Sequence, residues 1–462
     1  MKKLKLFSFP NTLCLFFSAL IWSPSSQALD IAFEKDSSLP IVYLNVAIKL
    51  GSVTDPAGQA GLTNFMGEMM MRGTKSKTKE QIDFALDQMG ARLDVEARAE
   101  ALIFRGAVLS SQLDSYLGLL NDILTQPTFP VVEIKKLQSE IVSALQEEQG
   151  HDASLAGRQF THFLFQSHPY GKPIMGNIAD IESLTATEIS DHYRRLLQDK
   201  YLLVVGSGDT SESKISDWAK QVARQHPDLK LSDADEQILA KVEIPKNSDH
   251  RRVMIVDKPD RTQTQINLGQ IGVRMDDPDY FPLHLGNYAF GGPSFSAILM
   301  VEIRVKRGWS YGANSNFRFG LQPRSWIAHF FPAEKDSAAA LAESVRLISD
   351  LQEKGLTSEQ FEFAKRSLVN SAGFMYNTPK KRVENKLLEK TLNLPDGYMQ
   401  TFGPETEKVK LSEVNNSLKK FLKPGSLAIS VLGTAKNLKE SVAKAAGIPV
   451  SEVLVVPYTD DK

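Results

Sequence analysis

Arg304 and Tyr311 stand seven residues apart in the run Arg304-Val-Lys-Arg-Gly-Trp-Ser-Tyr311. A guanidinium is a charge-assisted hydrogen-bond donor, and a phenol hydroxyl both donates and accepts. The pattern predicts a helix over Ser296–Lys306, a turn permitted by Gly308 and a strand-like run that begins at Tyr311. Such a helix–turn–strand corner can bring both side chains to one side of a cleft. The same two residues also have plain structural uses. An arginine near a helix C-terminus complements the dipole, and a tyrosine on a strand packs. The neighbouring Arg307 reads as solvated.

A second polar pair lies on a predicted helix over 62–72. Leu62, Phe65, Met66, Met69 and Met70 recur at helical spacing and form a core stripe. Asn64 and Glu68 fall on the opposite face, one turn apart. The eight histidines, at 151, 162, 168, 192, 226, 250, 284 and 329, show no His-x3-His spacing. They read as surface or turn residues rather than metal ligands. There is no Gly-x-Ser-x-Gly nucleophile elbow and no P-loop.

Residues 1–28 have a separate character. Lys2, Lys3 and Lys5 precede an apolar run interrupted by Pro10 and Asn11, and Ser26-Gln-Ala28 offers small residues for cleavage. This pattern predicts a signal peptide removed after Ala28, export to a bacterial periplasm and no membrane anchor thereafter. The only cysteine, Cys14, lies within it, so the mature chain would have neither disulfides nor thiolate chemistry. Loss of three lysines moves the net charge from −1 to −4. With no basic block, nucleic-acid and membrane-surface binding find no electrostatic support.

The elements that must carry the two polar pairs occur in two sets. In the first, strand Ile41–Leu50 leads to the turn at Asp55-Pro56 and the 62–72 helix. Strands Arg92–Ala97 and Ala101–Leu109 follow, then helices Ser111–Leu124, Val131–Glu148 and Thr187–Leu197, then strand Tyr201–Gly206. The second set runs strand Gln265–Gly272, turn Asp276–Pro278, helix Tyr280–Phe290, the Ser296–Lys306 helix, and strands Tyr311–Phe317 and Trp326–Phe331. The segments starting at Leu184 and Val409 each pair an amphipathic helix with a buried apolar strand. A period of about 220 residues indicates duplicated domains, not a solenoid. The expected division is 29–235 and 251–462, joined by a polar linker at 236–250.

Several ordered patterns resemble the pitrilysin/insulinase-type (inverzincin) zinc peptidases. They are Gly51-Ser…Asp55-Pro-Ala-Gly-Gln-Ala-Gly61-Leu, Pro127-Thr-Phe-Pro130 and His168-Pro-Tyr-Gly171 with Gly176. Gly291-Gly-Pro-Ser-Phe-Ser296 and Arg304…Tyr311-Gly312 continue the order, so together they cover nearly the whole mature chain. The resemblance implies an α+β fold of two similar domains, each an antiparallel sheet with helices packed on it. The family's zinc helix reads His-x-x-Glu-His; here the corresponding positions hold Asn64, Gly67 and Glu68. The third ligand, a glutamate in the family, aligns near Leu145, with Glu147 and Glu148 just beyond. An amide is a poor zinc ligand and glycine cannot be a general base, so no metal is expected in this chain.

The resemblance further implies the non-zinc subunit of a heterodimer. Arg304 would bind a substrate backbone carbonyl, and Tyr311 would donate to the scissile carbonyl at a zinc-bearing partner of the same family. The chain would be inactive alone and would bind extended peptides. Its Gly90–Ala97 run would form a sheet edge for strand addition, although its alternating charges equally suit protection against aggregation. The alternatives are a non-enzymatic peptide-binding or assembly protein that kept only the fold, and an active peptidase with unorthodox ligands, which the missing ligand set disfavours.

Overall fold

The structure, a computed structural model, describes residues 29–226 and 242–460. The signal-peptide reading of 1–28 and the first part of the 236–250 linker fall outside those residues. Residues 242–250 are irregular.

Two sheets organise the chain. The first contains β1 (Asp30–Lys35), β2 (Ile41–Ile48), β3 (Arg92–Ala97), β4 (Leu102–Leu109) and β5 (Leu202–Gly208), in the order β1-β5-β2-β4-β3. The second contains β6 (Arg252–Asp257), β7 (Gln265–Ile271), β8 (Ala313–Phe317), β9 (Ser325–Phe330), β10 (Ala428–Gly433) and β11 (Val453–Pro457), in the order β11-β6-β10-β7-β9-β8. Apart from the added β11, the two orders are the same, with β6 in the place of β1 and β8 in that of β3. The duplication expected from sequence is therefore repeated strand by strand.

Each domain is α+β, but its sheet is mixed rather than wholly antiparallel. β1 runs parallel to β5, and β6 runs parallel to both β10 and β11. β1 and β6 enter each sheet beside a strand that arrives only after the domain's helices, and a crossover of that length permits a parallel pair. Interior strands are buried on both faces, as β5 and β10 are throughout, because helices cover both sides.

Part of that cover is exchanged. The helix Asp152–Phe165 follows the first sheet's elements but packs Phe160, Leu164 and Phe165 against Ile271, Ile327 and Ala428 of the second. The helix Pro379–Thr391 returns the contact, setting Val383 and Leu387 against Ala47, Ile103, Leu203 and Val205. Each sheet thus buries its outer face with a helix from the other half of the chain, and the seam between them is part of the core.

Candidate functional site

The sequence-predicted residues occupy two places. Asn64, Gly67, Glu68 and Leu145 belong to the first domain, and Arg304 and Tyr311 to the second. Among the described residues no hydrogen bond, ion pair or ring contact joins the two groups.

The first group sits on the helix Leu62–Met70. Its stripe of Leu62, Phe65, Met66, Met69 and Met70 is fully buried, as the periodicity requires. A buried polar network fixes its N-terminus. Asp55 accepts from Gly61 N and Thr63 N, both at 2.9 Å, and from Thr63 Oγ1 at 2.5 Å. Thr63 Oγ1 also meets His192 Nε2 at 2.8 Å. Burial pushes Asp55 up to about 7 and His192 down to about 3, so the imidazole is neutral. His192 and His226 are both buried, which corrects their reading as surface or turn residues. The error has a simple cause: a histidine with a hydrogen-bond partner or aromatic neighbours can be buried neutral, and spacing alone does not reveal the partner.

Asn64 Nδ2 donates to Glu68 Oε1 at 3.2 Å across one helical turn. Burial raises the Glu68 carboxyl, while Asn64 and Arg72 oppose the shift. Arg72 is itself held by Glu133 at 3.5 Å and by Glu140. Gly67 is buried, and a Cβ there would lie 2.6 Å from Leu102 Cδ1 and 3.1 Å from Val95 Cγ2. Leu145 is 2% exposed within the same apolar core. Zinc does not fit this set: it offers one carboxylate, one amide, a glycine sealed by the sheet and a leucine buried in the core. Among the described residues no group of three or more His, Cys, Asp or Glu side chains could hold a metal ion.

The second group is built on a corner. The expected helix over Ser296–Lys306 is instead a six-residue π-helical segment, Met300–Val305, preceded by one short helical stretch. Gly308 turns the chain at φ 64°, and its N–H donates to Arg304 O at 2.9 Å. Tyr311 lies in a bend two residues before β8 rather than in the strand. Ser310 Oγ pins that bend by donating to Gly312 O at 2.7 Å and accepting from Phe331 N at 3.0 Å. Behind it, Asn287 Oδ1 accepts from Ser315 Oγ at 2.6 Å and Trp326 Nε1 at 2.7 Å, which ties β8 to the Tyr280–Gly291 helix and to β9.

The corner brings its two side chains together. The Arg304 guanidinium carbon is 4.2 Å from the Tyr311 ring centroid and 4.8 Å from that of Phe295. The cation is thus held by two aromatic faces. Both rings are largely open, Tyr311 at 77% and Phe295 at 67% exposure. Among the described residues no carboxylate pairs with Arg304, whereas its neighbours are neutralised: Glu302 binds Lys306 and Arg307, each at 2.6 Å, and Glu343 holds Arg307 at 2.8 Å. Arg307 is exposed, as its reading as solvated requires, and it is also engaged in ion pairs. Phe295 was missed as a neighbour of Arg304, although it lies in the quoted Gly291–Ser296 run. Its nine-residue separation from Arg304 is bridged only by the folded corner.

β3 is an edge strand, as expected. Its Glu96 is paired with Arg98 at 2.6 Å and Arg105 at 2.8 Å. β8 is the equivalent edge of the second sheet, and it begins beside Tyr311.

Comparison with known proteins agrees with this architecture. Residues 30–177 match the family described as Insulinase (Peptidase family M16), and residues 183–368 match the Peptidase M16 inactive domain. The chain is a two-domain protein of the M16 insulinase fold. This M16-fold chain is 23% identical over 433 residues to the non-peptidase homolog YmxG of Helicobacter pylori, covering 91% of the chain and 96% of that protein. It superposes on the peptidase M16 inactive domain from Pseudomonas fluorescens with a TM-score of 0.81 at 22% identity, over 89% of this chain and 97% of that one. With the periplasmic protease PqqL of Escherichia coli the TM-score is 0.73 at 14% identity, over 92% of this chain and 48% of that one. The M16-fold chain thus spans about half the length of PqqL. It has the M16 fold, and among the described residues it has no intact metal site.

Proposed function

We propose that the protein is the non-zinc-binding subunit of a heterodimeric zinc metallopeptidase, exported to the periplasm after cleavage behind Ala28. Its domains are 29–235 and 251–462. Arg304 binds a backbone carbonyl of an extended peptide, and Tyr311 donates its hydroxyl to the scissile carbonyl as that oxygen gains charge. Hydrolysis itself takes place on a zinc-bearing partner of the same fold. One observation carries the reading: an arginine without an acidic partner, braced between two exposed rings at the start of a sheet edge. A purely structural arginine at a helix end would not need that exposed bracing. The likeness to the periplasmic protease PqqL supports the compartment.

A second reading is a peptide-binding or assembly protein without a part in catalysis. The YmxG relative, described as a non-peptidase homolog, favours it. Co-purification with a zinc-bearing partner, followed by peptidase assays of each chain and of the mixture, decides between them. Activity confined to the mixture and lost in Arg304 and Tyr311 variants supports the composite site. Full activity in both variants would leave the binding or assembly role.

A further inference from the structure

A cavity of about 330 Å³ opens at the seam between the two domains. The first domain contributes the Asp152–Phe165 helix and the loop from Tyr170 to Met175. The second contributes Arg318 and Arg324, which flank the turn between β8 and β9. The turn is anchored across the seam: Gln322 N donates to the Tyr170 hydroxyl at 2.9 Å, and Leu321 N to Glu100 at 3.3 Å. The turn that carries the two arginines is therefore fixed to the first domain before any ligand arrives.

The lining is unbalanced in charge. Among the described residues Glu148 is the only carboxylate of the lining, and Arg158 neutralises it at 3.1 Å. Lys172 donates to the Asp55 backbone carbonyl at 2.6 Å, and the Asp55 carboxyl offsets part of its charge. The Arg324 guanidinium lies 4.9 Å from the centroid of the Tyr170 ring, and its Nε is buried without a hydrogen-bond acceptor. The Arg318 side chain has no ion pair or hydrogen bond among the described residues, and it is exposed at the mouth. An orphaned buried donor costs free energy, and so do like charges gathered at one cavity. One bound anion relieves both.

We infer that this seam cavity is a carboxylate-binding site, in which Arg318 and Arg324 receive the acidic group of a peptide, either its C-terminus or a Glu or Asp side chain. The inference rests on the peptide-binding reading above. Geometry favours a peptide as the source. Arg318 directly follows β8, whose open edge starts beside Tyr311. A strand added along that edge covers the seven residue steps from Tyr311 to Arg318, at most about 24 Å. A guanidinium pair matches a carboxylate in shape and charge, and one anchor at a fixed distance would set the peptide's register.

Calorimetry on the isolated mature chain tests this without a partner or catalysis. The probes are succinate, an alanine hexapeptide with a free C-terminus, the same peptide amidated, and an amidated hexapeptide carrying one glutamate. Succinate and at least one acidic peptide should bind one per chain, and the neutral amide should not. Arg318→Gln and Arg324→Gln should each weaken binding by about 10-fold or more. Arg318 is exposed, so its variant should keep the wild-type melting temperature. The free C-terminus against the internal glutamate tells which carboxylate is used. No binding of any probe, or binding undiminished in both variants, would overturn the site. Succinate binding without either acidic peptide would overturn the peptide assignment. Because nothing here reads hydrolysis, failure of the composite-peptidase reading is a separate result.

Discussion

The helix at 62–70 and the corner at 298–312 have opposite relations to their surroundings. Around the helix every potentially reactive position has been absorbed. Asn64 and Glu68 bond to each other, Gly67 is closed off by Leu102 and Val95, and Leu145 lies within the apolar core. At the corner, Arg304 has no acidic partner among the described residues, and two large rings stand open to solvent. Exposed aromatics and an unpaired cation contribute little to folding, so a corner under selection for stability alone would be expected to cover or pair them. Under the proposed function, the contrast marks the helix as a position whose side chains are not left vacant but are taken up in the packing. It also gives the physical ground for assigning remaining function to the second domain.

Substitutions at the two regions should separate just as sharply. The largest effect belongs to Tyr311→Phe in the complex with a zinc-bearing partner. Removal of one oxyanion donor lowers turnover on the order of 10²–10³, and steady-state kinetics should place the loss mainly in kcat. Arg304→Ala should also raise KM, because its contact exists in the ground state. Assembly, followed by gel filtration, should be unchanged in both; loss of assembly would remove the contrast.

At the emptied helix the leading effect is on stability. Gly67→Glu forces atoms against Leu102 and Val95. Overpacking of this kind costs about 1–3 kcal/mol, measurable by urea denaturation. An unchanged midpoint would mean that the site is merely vacant rather than filled by packing.

A smaller effect concerns pH. Burial holds His226 down to about 4, below the ordinary histidine value of 6.5. Native stability that depends on the neutral ring is complete above pH 6.5 and is lost as pH falls toward 4. His226→Gln should flatten the pH dependence of the denaturation midpoint over that window. An identical slope in the variant would show that this imidazole does not titrate on unfolding. Smallest of all, Glu68→Gln should leave the activity of the complex nearly unchanged, since Glu68 faces no metal ligand set. A loss comparable to that of Tyr311→Phe would return chemistry to the first domain.

The sequence by itself determined a good deal. Periodicity located the buried stripe of the 62–70 helix, and alternation located β3 without error at either end. The Leu184 and Val409 segments revealed the duplication, because apolar burial imposes the same pattern wherever the same element packs. The missing ligands at 64, 67 and 68 were legible as residue types. Other features were not, since they arise between distant segments. The parallel pairing of β1 with β5 joins strands some 170 residues apart. The exchange of helices across the seam, the burial of His192 against Thr63 and the sealing of Gly67 by Leu102 likewise depend on neighbours that no local pattern names. The stack of Phe295, Arg304 and Tyr311 requires a π-helical turn that a helix-period pattern reads as ordinary. Side-chain type and local period set what each segment can bury; only the tertiary structure decides which charge meets an acid, which meets a ring, and which is left open for a ligand.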